Sequence, residues 1–519
     1  MAQAQEALEL PEVVVEAPRA APARTVTPPK PADPNADVAS KNRKFDDARD
    51  NLSPQFGTSS FNVNRASIDA LPQGTEAPIG KVLLQAPGIS QDSAASGEIH
   101  VRNEHANVQY RINGIILPDG VSGFGSVLDI SFVSSLALIT GALPAQFGLR
   151  TAGIVDIQTK SGKSLKQGGS VGIYGGSFGT LTPSIEYGGR IGNTEYFFTG
   201  RGLTSNLGIE NPTSSVNAIH DRTFQGNFFS YTSNVLDAQT RIATIFGNTT
   251  STFQIPNNPG QSFCCGITSA YGVSDFSSSN LNENQREQNT FNVVALQKSV
   301  NGFDVQMAAF SRYSSLHFLP DPVGDILFNG VASNVYRQSF ANGIQGDGAY
   351  RLSDVHTLRA GFTVFGESTR VSNNSTVLPL GSGGNPVDMP FQLADSNSKF
   401  GWNAGVYVQD EWRMADKLTL NFGLRFDQMW QFVNANRLSP RLNLVYKPLD
   451  GTAFHAGYAR YFTPPAQAIA APTNIAATAN TTAQPENFQQ SPVLPERSHY
   501  FDVGVTQKIT PELRVGVDA

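Results

Sequence analysis

The sequence predicts an N-terminal α+β domain followed by an antiparallel transmembrane β-barrel. Three features of the sequence lead to this fold class. Apolar and polar residues alternate in strand-like segments from about Gly168 onward, and the connectors between these segments are short and long in turn. No uninterrupted apolar run reaches the roughly 18 residues that a membrane-spanning helix needs. A closed barrel is the other structure that satisfies every backbone polar group in lipid.

Length and charge narrow the possible functions. The chain has 519 residues, too many for one ordinary globular domain. Its net charge is −6 and only 15% of its residues are charged. A nucleic-acid-binding protein usually carries a basic stripe, so we expect no nucleic-acid partner.

Residues 1–50 form a polar, Pro-rich tail in which the stretch from Pro18 to Pro34 favours an extended conformation. One apolar island, Glu12-Val13-Val14-Val15, interrupts it. This island has two interpretations. It is either a short strand that adds to the sheet edge of a partner, or a chance run of valines.

Residues 51–165 are predicted to form the compact α+β domain. We expect a short helix from Glu76 to Gln85, a strand from Val108 to Ile112, and a second strand from Gly153 to Thr159. Asn113-Gly114 predicts a hairpin turn, and Phe132 to Gly141 suits a short helix or strand.

Residues 166–519 are predicted to form the barrel. In its clearest strand, Leu418 to Phe426, apolar side chains alternate with Thr419, Asn421, Gly423 and Arg425. In a membrane barrel such an apolar face contacts lipid, whereas in a soluble sandwich it would form the core.

The connectors predict the strand count. The short ones are Ile191–Glu195, Val300–Gly302, Leu352–His356, Met414–Lys417, Pro448–Gly451 and Ile509–Glu512. The long ones are Asn206–Asp221, Ser251–Arg286, Ser314–Val335, Val371–Ser398 and Thr463–Glu496. About fourteen complete strands and the start of another fit between them. Single-chain bacterial barrels have an even number of strands, so we expect a barrel truncated at the C-terminus.

Eight short motifs resemble those of TonB-dependent outer-membrane receptors. They are Leu83–Ile89, Tyr110–Gly114, Ala145–Gly148, Gly153–Gly162, Val406–Trp412, Leu418–Asp427, Ser439–Leu442 and Pro495–Ser498. The resemblance implies a 22-strand barrel whose lumen is blocked by a plug domain, here residues 51–165, in the outer membrane of a Gram-negative bacterium.

The same resemblance implies partners and roles for particular residues. Glu12, Val13, Val14 and Val15 would be the TonB box, which pairs in the periplasm with the C-terminal domain of TonB. The Pro-rich segment after the box would be a spacer. Outer-membrane lipid and an extracellular nutrient ligand would be the other partners, with the ligand bound by long loops and plug apices.

Four residues are candidate ligand contacts. Arg102 and His105 lie in the predicted plug, and Cys264 and Cys265 lie in a predicted long loop. Each has a structural alternative. Arg102 also suits an ion pair with the barrel wall, His105 suits an exposed loop, and the two cysteines suit a local disulfide staple.

The sequence predicts neither an enzyme nor a protein with a resident cofactor or metal. The segment Gly175–Gly179 matches the G-x-S-x-G nucleophile pattern, but an alternating segment follows it instead of the required helix. The expected function is TonB-driven import of a scarce, bulky ligand such as a ferric siderophore. The alternative is a ligand-binding or adhesion barrel, or a receptor for peptide or glycan, without iron specificity.

Overall fold

The computed structural model describes residues 36–54, 59–91, 99–102, 104–105, 107–121, 123–125, 127–162, 167–471, 473–510 and 513–519. Its strands form a five-stranded sheet, a three-stranded sheet and a fifteen-stranded sheet. The first two sheets belong to an N-terminal domain, and the third is the large curved sheet of the C-terminal region.

The N-terminal domain contains three helices and eight strands. The helices are α1 Ala36–Asp50, α2 Arg65–Asp69 and α3 Ile79–Leu83. The strands are β1 Ser59–Asn64, β2 Ile89–Gln91, β3 Ile99–Val101, β4 Glu104–His105, β5 Val108–Ile112, β6 Ile115–Ile116, β7 Val133–Thr140 and β8 Gly153–Thr159. The predicted helix at Glu76–Gln85 is shorter than expected, and the stretch from Phe132 to Gly141 is a strand.

The five-stranded sheet has the order β1-β7-β8-β5-β6, with β5 and β8 parallel. The predicted turn at Asn113-Gly114 joins β5 to β6, and both residues have positive φ, 52° and 79°. Two consecutive left-handed residues define the type I′ turn, whose twist matches a hairpin. Asparagine and glycine are the residues that tolerate this conformation best.

The large sheet runs in strict chain order from β9 to β23. Its strands are β9 Gly168–Gly175, β10 Leu181–Ile191, β11 Thr194–Ser205, β12 Thr223–Val235, β13 Thr240–Gln254, β14 Asn284–Val300, β15 Phe303–Leu319, β16 Val331–Arg351, β17 His356–Val377, β18 Phe391–Ala415, β19 Leu418–Trp430, β20 Asn434–Leu449, β21 Thr452–Thr463, β22 Glu496–Lys508 and β23 Arg514–Asp518. A further helix, α4 Gly324–Asn329, lies between β15 and β16.

Fifteen strands agree with the count from apolar alternation. In the described part of the chain, β9 and β23 are the edge strands of the sheet and are not paired with each other. That the barrel is truncated stays a prediction.

The apolar face of the large sheet points outward. On β19, Phe422, Leu424 and Phe426 are 43%, 46% and 40% exposed, while Arg425 and Asp427 between them are buried on the inner face. A water-soluble sandwich would bury the apolar side chains and expose the charged ones. The pattern is that of a sheet with lipid outside and a polar interior.

Two predicted connectors are wrong in length. Ser314–Val335 and Val371–Ser398 were expected to be loops, but β15 continues to Leu319, β17 continues to Val377, and β18 already begins at Phe391. The outward-facing residues of these extensions are polar, so the apolar signal ends while the backbone pairing continues.

The N-terminal domain packs against the inner face of the large sheet. Its core includes Ile68, Val82 and Ile157, and the same apolar cluster continues into inner-face residues of β11 to β17. Phe132 stacks on Phe229 of β12 with ring centroids 4.0 Å apart. One side of the domain is thus held by apolar contact to the inner face of the large sheet, which we call the wall.

Of the helices that the structure describes, none has the length and apolar character needed to cross a lipid bilayer.

Replacing Ile157 by alanine should destabilise the N-terminal domain without disturbing the large sheet. Ile157 is fully buried in β8, so we expect its local unfolding free energy to fall by about 2–5 kcal/mol. Hydrogen exchange of the β5 and β8 amides measures this loss. Ile173→Ala on β9, where the side chain is 75% exposed, is the matched control and should leave those amides unchanged.

Candidate functional site

The segment Gly141–Arg150 of the N-terminal domain lies between β7 and β8 and has no regular structure, yet all ten of its residues are buried. Its carbonyl oxygens need hydrogen-bond donors from elsewhere, because an unpaired buried carbonyl is costly. Gln109 and Arg111 of the N-terminal domain donate to the Gly148 and Gln146 carbonyls. The other side-chain donors come from the inner face of the large sheet, on β19, β20 and β21.

Two arginines supply most of these donors. The guanidinium of Arg425 donates from Nη1 to the carbonyls of Ala145 and Gln146 at 3.4 and 3.3 Å. Arg441 donates to the carbonyls of Leu143 and Phe147 at 3.5 and 3.3 Å. Both guanidiniums are buried, so these contacts are shielded from water.

Tyr461 of β21 completes the contact. Its hydroxyl donates to the Gly141 carbonyl at 2.6 Å and accepts from the Leu143 amide at 2.7 Å. The guanidinium of Arg441 lies 4.3 Å from the centroid of the Tyr461 ring. Three neighbouring strands therefore bind one short segment of the N-terminal domain through its backbone.

The charges of the two arginines are balanced differently. Arg425 forms a bidentate ion pair with Asp427 of the same strand, with Nε and Nη2 both 2.8 Å from Oδ1. For Arg441, no carboxylate of the described residues lies within ion-pairing distance, and the Tyr461 ring face takes that role.

Gly148 is the position where the segment comes closest to the wall. A Cβ atom at this residue would lie 2.1 Å from Nε of Arg425, so a side chain here would displace the guanidinium. Glycine at this position therefore lets Arg425 keep its place against the segment.

A second polar contact lies toward the long-loop end of the sheet. Glu287 of β14 accepts hydrogen bonds from the amides of Phe124 and Gly125 at 2.8 and 2.9 Å. The Ser314 hydroxyl accepts from the Val121 amide at 2.8 Å, and Arg312 donates to the Pro118 carbonyl. These bonds hold the apex of the N-terminal domain.

The third contact involves α1, at the short-turn end. Val38, Asn42 and Phe45 are buried on one face of this helix at the spacing of helical turns, and Phe45 packs with Val235 at the end of β12. Arg241 of β13, only 2% exposed, lies with its guanidinium 5.3 Å from the Phe45 ring centroid. The polar tail predicted for residues 1–50 therefore ends in a helix that packs against the sheet.

Further polar contacts fix α1 to the sheet. Arg241 donates to Asp46 at 2.9 Å and to Gln297 of β14 at 2.7 Å. Just beyond the helix, the Asn51 amide group donates to Asp304 of β15 at 2.8 Å. The apolar cluster around Phe45 is separate from the core of the N-terminal domain, so α1 is attached to the wall in its own right.

The arginines of the N-terminal domain, among them the candidate ligand contact Arg102, have different partners. Arg102 donates to Asp502 of β22 at 2.9 Å and to the Tyr500 hydroxyl at 3.1 Å. Arg150 pairs with Asp119 at 2.8 Å. Arg111 is buried within the N-terminal domain, where it donates to Gln109. Arg102 thus has the wall carboxylate partner that was its structural alternative, and its role as a ligand contact stays a prediction.

The other predicted residues are placed as follows. His105 lies in β4 opposite His100. Cys264 and Cys265 lie in the loop after β13 and no disulfide joins them in the structure, so their role as ligand contacts stays a prediction. Cys264 is instead held by its backbone amide, which donates to the Leu327 carbonyl at 2.9 Å. Glu12, Val13, Val14 and Val15 lie outside the described residues.

The loop that carries Cys264 is part of a larger folded cap. The cap consists of the long loops 255–283, 320–330, 378–390 and 464–495. It has its own apolar cluster around Ile326, Leu327 and Leu378, packed against Phe263 and Cys264. The first three loops share this cluster, and the fourth is attached to them by Thr482, whose hydroxyl accepts from the Leu378 amide at 3.0 Å.

In the described residues, no group of three or more His, Cys, Asp or Glu side chains could hold a metal ion. The segment Gly175–Gly179 is the turn between β9 and β10, and a strand follows it. The geometry is that of a barrel wall holding a separate domain through backbone contacts.

The family model described as TonB dependent receptor-like, beta-barrel matches residues 164–518. The chain belongs to the TonB-dependent receptor family. These receptors are located in the Gram-negative outer membrane, and the family consists of transporters and receptors that bind TonB and extracellular ligands. The N-terminal domain is accordingly the plug, the short turns face the periplasm, and the cap is extracellular.

Solved structures of the same fold include other receptors. The ferric citrate transporter FecA aligns with a TM-score of 0.66 at 14% identity, over 89% of this chain and 69% of that chain. The ferric yersiniabactin uptake receptor FyuA from Yersinia pestis aligns with a TM-score of 0.64 at 13% identity, over 89% and 71%. The copper transporter OprC aligns with a TM-score of 0.64 at 14% identity, over 90% and 71%.

No curated protein matches the chain in sequence.

Sequence reasoning missed the wall residues that hold the plug. Arg425 and Arg441 both stand at polar positions of strands whose alternation was recognised, within segments that carry the family resemblance. The signal that the sequence did offer was an arginine at an inward-facing position of a strand with few other charges. Nothing in the sequence showed that its partners would be plug carbonyls.

Replacing Arg441 by methionine should loosen the plug segment Gly141–Arg150. The change removes the hydrogen bonds that Arg441 donates to the Leu143 and Phe147 carbonyls, at about 1–3 kcal/mol for each bond lost. Hydrogen exchange of amides in that segment should rise while the strand amides of the barrel stay protected. The matched control is Arg413→Met, at an exposed position beside a periplasmic turn, which should change neither.

The cap should loosen as the pH rises. Burial and the neighbouring Asp325 and Asp321 raise the pKa of Glu283 from 4.5 to about 9. The folded cap therefore holds this proton more tightly than the opened cap does, and its stability falls between about pH 4.5 and 9. Hydrogen exchange of α4, corrected for intrinsic rates, should show more opening at pH 9 than at pH 6.

Glu283→Gln should flatten that pH dependence because the amide does not ionise. Asp275→Asn, at an exposed acid of the same loop, should leave it intact. An equal pH response in wild type and Glu283→Gln would assign the effect to other groups.

Proposed function

We propose that this receptor imports a scarce, bulky metal chelate, such as a ferric siderophore, using energy delivered by TonB. The observation that carries the proposal is the plug itself, held against the inner wall by the carbonyl contacts of Arg425 and Arg441. A plug fixed in this way obstructs free diffusion of a bulky solute, so transport requires that the plug be moved by an external force.

The cargo class is supported by the proteins of the same fold. These proteins include a ferric citrate transporter, a ferric yersiniabactin uptake receptor and a copper transporter. The first two are named for ferric compounds and the third for copper, so a metal chelate is the cargo class that they support. The extracellular cap, with loops joined through a common apolar cluster, is the part of the chain that such a ligand would meet first.

The proposed entry point for force is the segment Glu12–Val15, through β-augmentation with TonB. Force applied there passes along the chain to α1, the first described element. Since α1 is attached to the wall through Phe45 and Arg241, this attachment bears load before the plug core does. The helix therefore has to detach from β12 and β13 before the pull reaches Gly141–Arg150.

Val14→Pro tests the coupling step directly. Proline lacks the N–H that strand addition requires, so we expect uptake to fall to the level of cells without TonB, with ligand binding unchanged. The matched variant Val14→Thr keeps the N–H and should transport as wild type does. The probes are ⁵⁵Fe-labelled ferric citrate and ferric chelates of the hydroxamate and catecholate classes, each measured for cell binding and for uptake.

The outcomes separate the two candidate functions. Uptake of a probe that survives Val14→Pro would contradict TonB coupling through this segment. Binding of a peptide or glycan, with no uptake of any metal chelate, would replace the importer by the adhesion or peptide-receptor function.

A further inference from the structure

The outward face of the large sheet changes character along each strand. On β16, the outward-facing Phe340, Ile344 and Tyr350 are 41%, 48% and 44% exposed. Phe340 and Tyr350 are 10 positions apart in the sequence, a rise of roughly 33 Å along the strand. With a strand tilt of about 40° this spans about 25 Å, the height of the lipid-facing band of a membrane barrel. Phe340 therefore marks its extracellular boundary.

Beyond Phe340 the strands continue, but their outward residues are polar. Four of these residues form a patch that we call the collar. They are Arg286 of β14, His317 of β15, Tyr336 of β16 and Arg370 of β17. Tyr336 is 4 positions above Phe340, which places the collar roughly 5–10 Å above the hydrocarbon boundary.

Strand register brings the collar residues together. Arg286 pairs with His317, and His317 pairs with Tyr336. Arg370 pairs with Gln338, the next outward residue of β16 below Tyr336. The rings of His317 and Tyr336 meet edge to face with centroids 5.8 Å apart. The two arginines stand on strands three apart, so their backbones are separated by about 15 Å.

The collar is positive, and no carboxylate accompanies it on the outward face. Two successive rows of cross-strand neighbours run through the collar from β12 to β18, and they contain no Asp or Glu. They are Phe224, Thr252, Arg286, His317, Tyr336, Ser372 and Ser396, and Gly226, Thr250, Gln288, Ser315, Gln338, Arg370 and Ser398.

Neither Arg286 nor Arg370 has an ion pair with any described residue of the chain, and both are exposed. By contrast, the inner-face arginines Arg241 and Arg425 each have a carboxylate partner. These two guanidinium groups are therefore available to bind groups that lie just above the hydrocarbon layer, outside the sheet.

We propose that the collar binds the phosphorylated sugar headgroup of a glycolipid in the outer leaflet. Guanidinium groups bind phosphate oxygens bidentately, which suits two arginines that flank a gap about one disaccharide wide. His317, Tyr336 and Gln338 between them present ring faces and polar tips to the sugars. The site is on the lipid side of the wall, so it is independent of the plug and of the imported ligand.

The test uses the receptor purified from the outer membrane in mild detergent. Bis-phosphorylated lipid A is the probe, and bound lipid is counted by native mass spectrometry. We expect the double variant Arg286→Gln/Arg370→Gln to bind it about tenfold more weakly or worse, since both phosphate contacts are lost. Lipid A without its phosphates should bind the wild type as weakly as intact lipid A binds the variant.

Two controls keep the result specific. Lys298→Gln removes an exposed outward-facing charge at the periplasmic end of β14 and should leave binding unchanged. Inorganic phosphate at millimolar concentration should not displace the lipid, because it supplies one contact instead of two. Heat-modifiable gel mobility shows that each variant is folded. Equal lipid binding by the wild type and the double variant, or an equal loss in Lys298→Gln, would overturn the proposal.

Discussion

The bonds from two wall arginines to the backbone of Gly141–Arg150 are the contact on which the rest of this structure depends. A segment without regular structure can be buried only if its carbonyls find donors, and Arg425 and Arg441 provide them. Each such bond to a charged guanidinium contributes about 1.5–3 kcal/mol net, much less than its strength in isolation, because water forms an equivalent bond when the contact opens. The opposite side of the plug is different. There Phe132 stacks on Phe229, and separation exposes apolar surface that water does not compensate. The arginine side of the plug is thus held by hydrogen bonds beside a small apolar cluster of Leu143, Phe147, Ala459 and Tyr461, whereas the opposite side is held mainly by a larger apolar contact.

The direction of force fits this asymmetry. The chain reaches the plug through α1, whose seat on β12 to β14 is separate from the plug core. From α1 the chain passes Asn51, which binds Asp304, and Ser53, whose hydroxyl accepts from Gln146 at 2.8 Å. Gln146 belongs to the segment that Arg425 holds. A series of polar contacts therefore connects the N-terminal side of the described chain to the arginine side of the plug. Under the proposed coupling to TonB, a pull at the tail would act on that side first.

Much of this fold could be predicted from the sequence, for identifiable reasons. The strands β8 and β19 were predicted at the right positions. On β19 one face meets lipid and the other the polar interior, so the alternation also identified the outward face correctly. The prediction ended too early at β15, β17 and β18, because beyond the lipid band the outer face is polar and the apolar signal disappears. The helix α1 was not predicted because its buried face contains Asn42 as well as Val38 and Phe45. With so few apolar residues, the segment resembles a polar tail. The plug contacts were not predictable, since a carbonyl has no sequence signature.

The claim that the plug must move away from the wall is tested most directly by locking the two together. The hydroxyls of Thr151 in the plug and Thr463 on β21 lie 3.1 Å apart, close enough for a cysteine pair at these positions to oxidise. The pair Thr151→Cys/Thr463→Cys is introduced with Cys264→Ser and Cys265→Ser, and uptake is measured with the chelate whose import depends on Val14. Oxidised cells should bind that chelate normally and import none, and a reductant should restore import. Import at the wild-type rate with the disulfide intact would contradict the account.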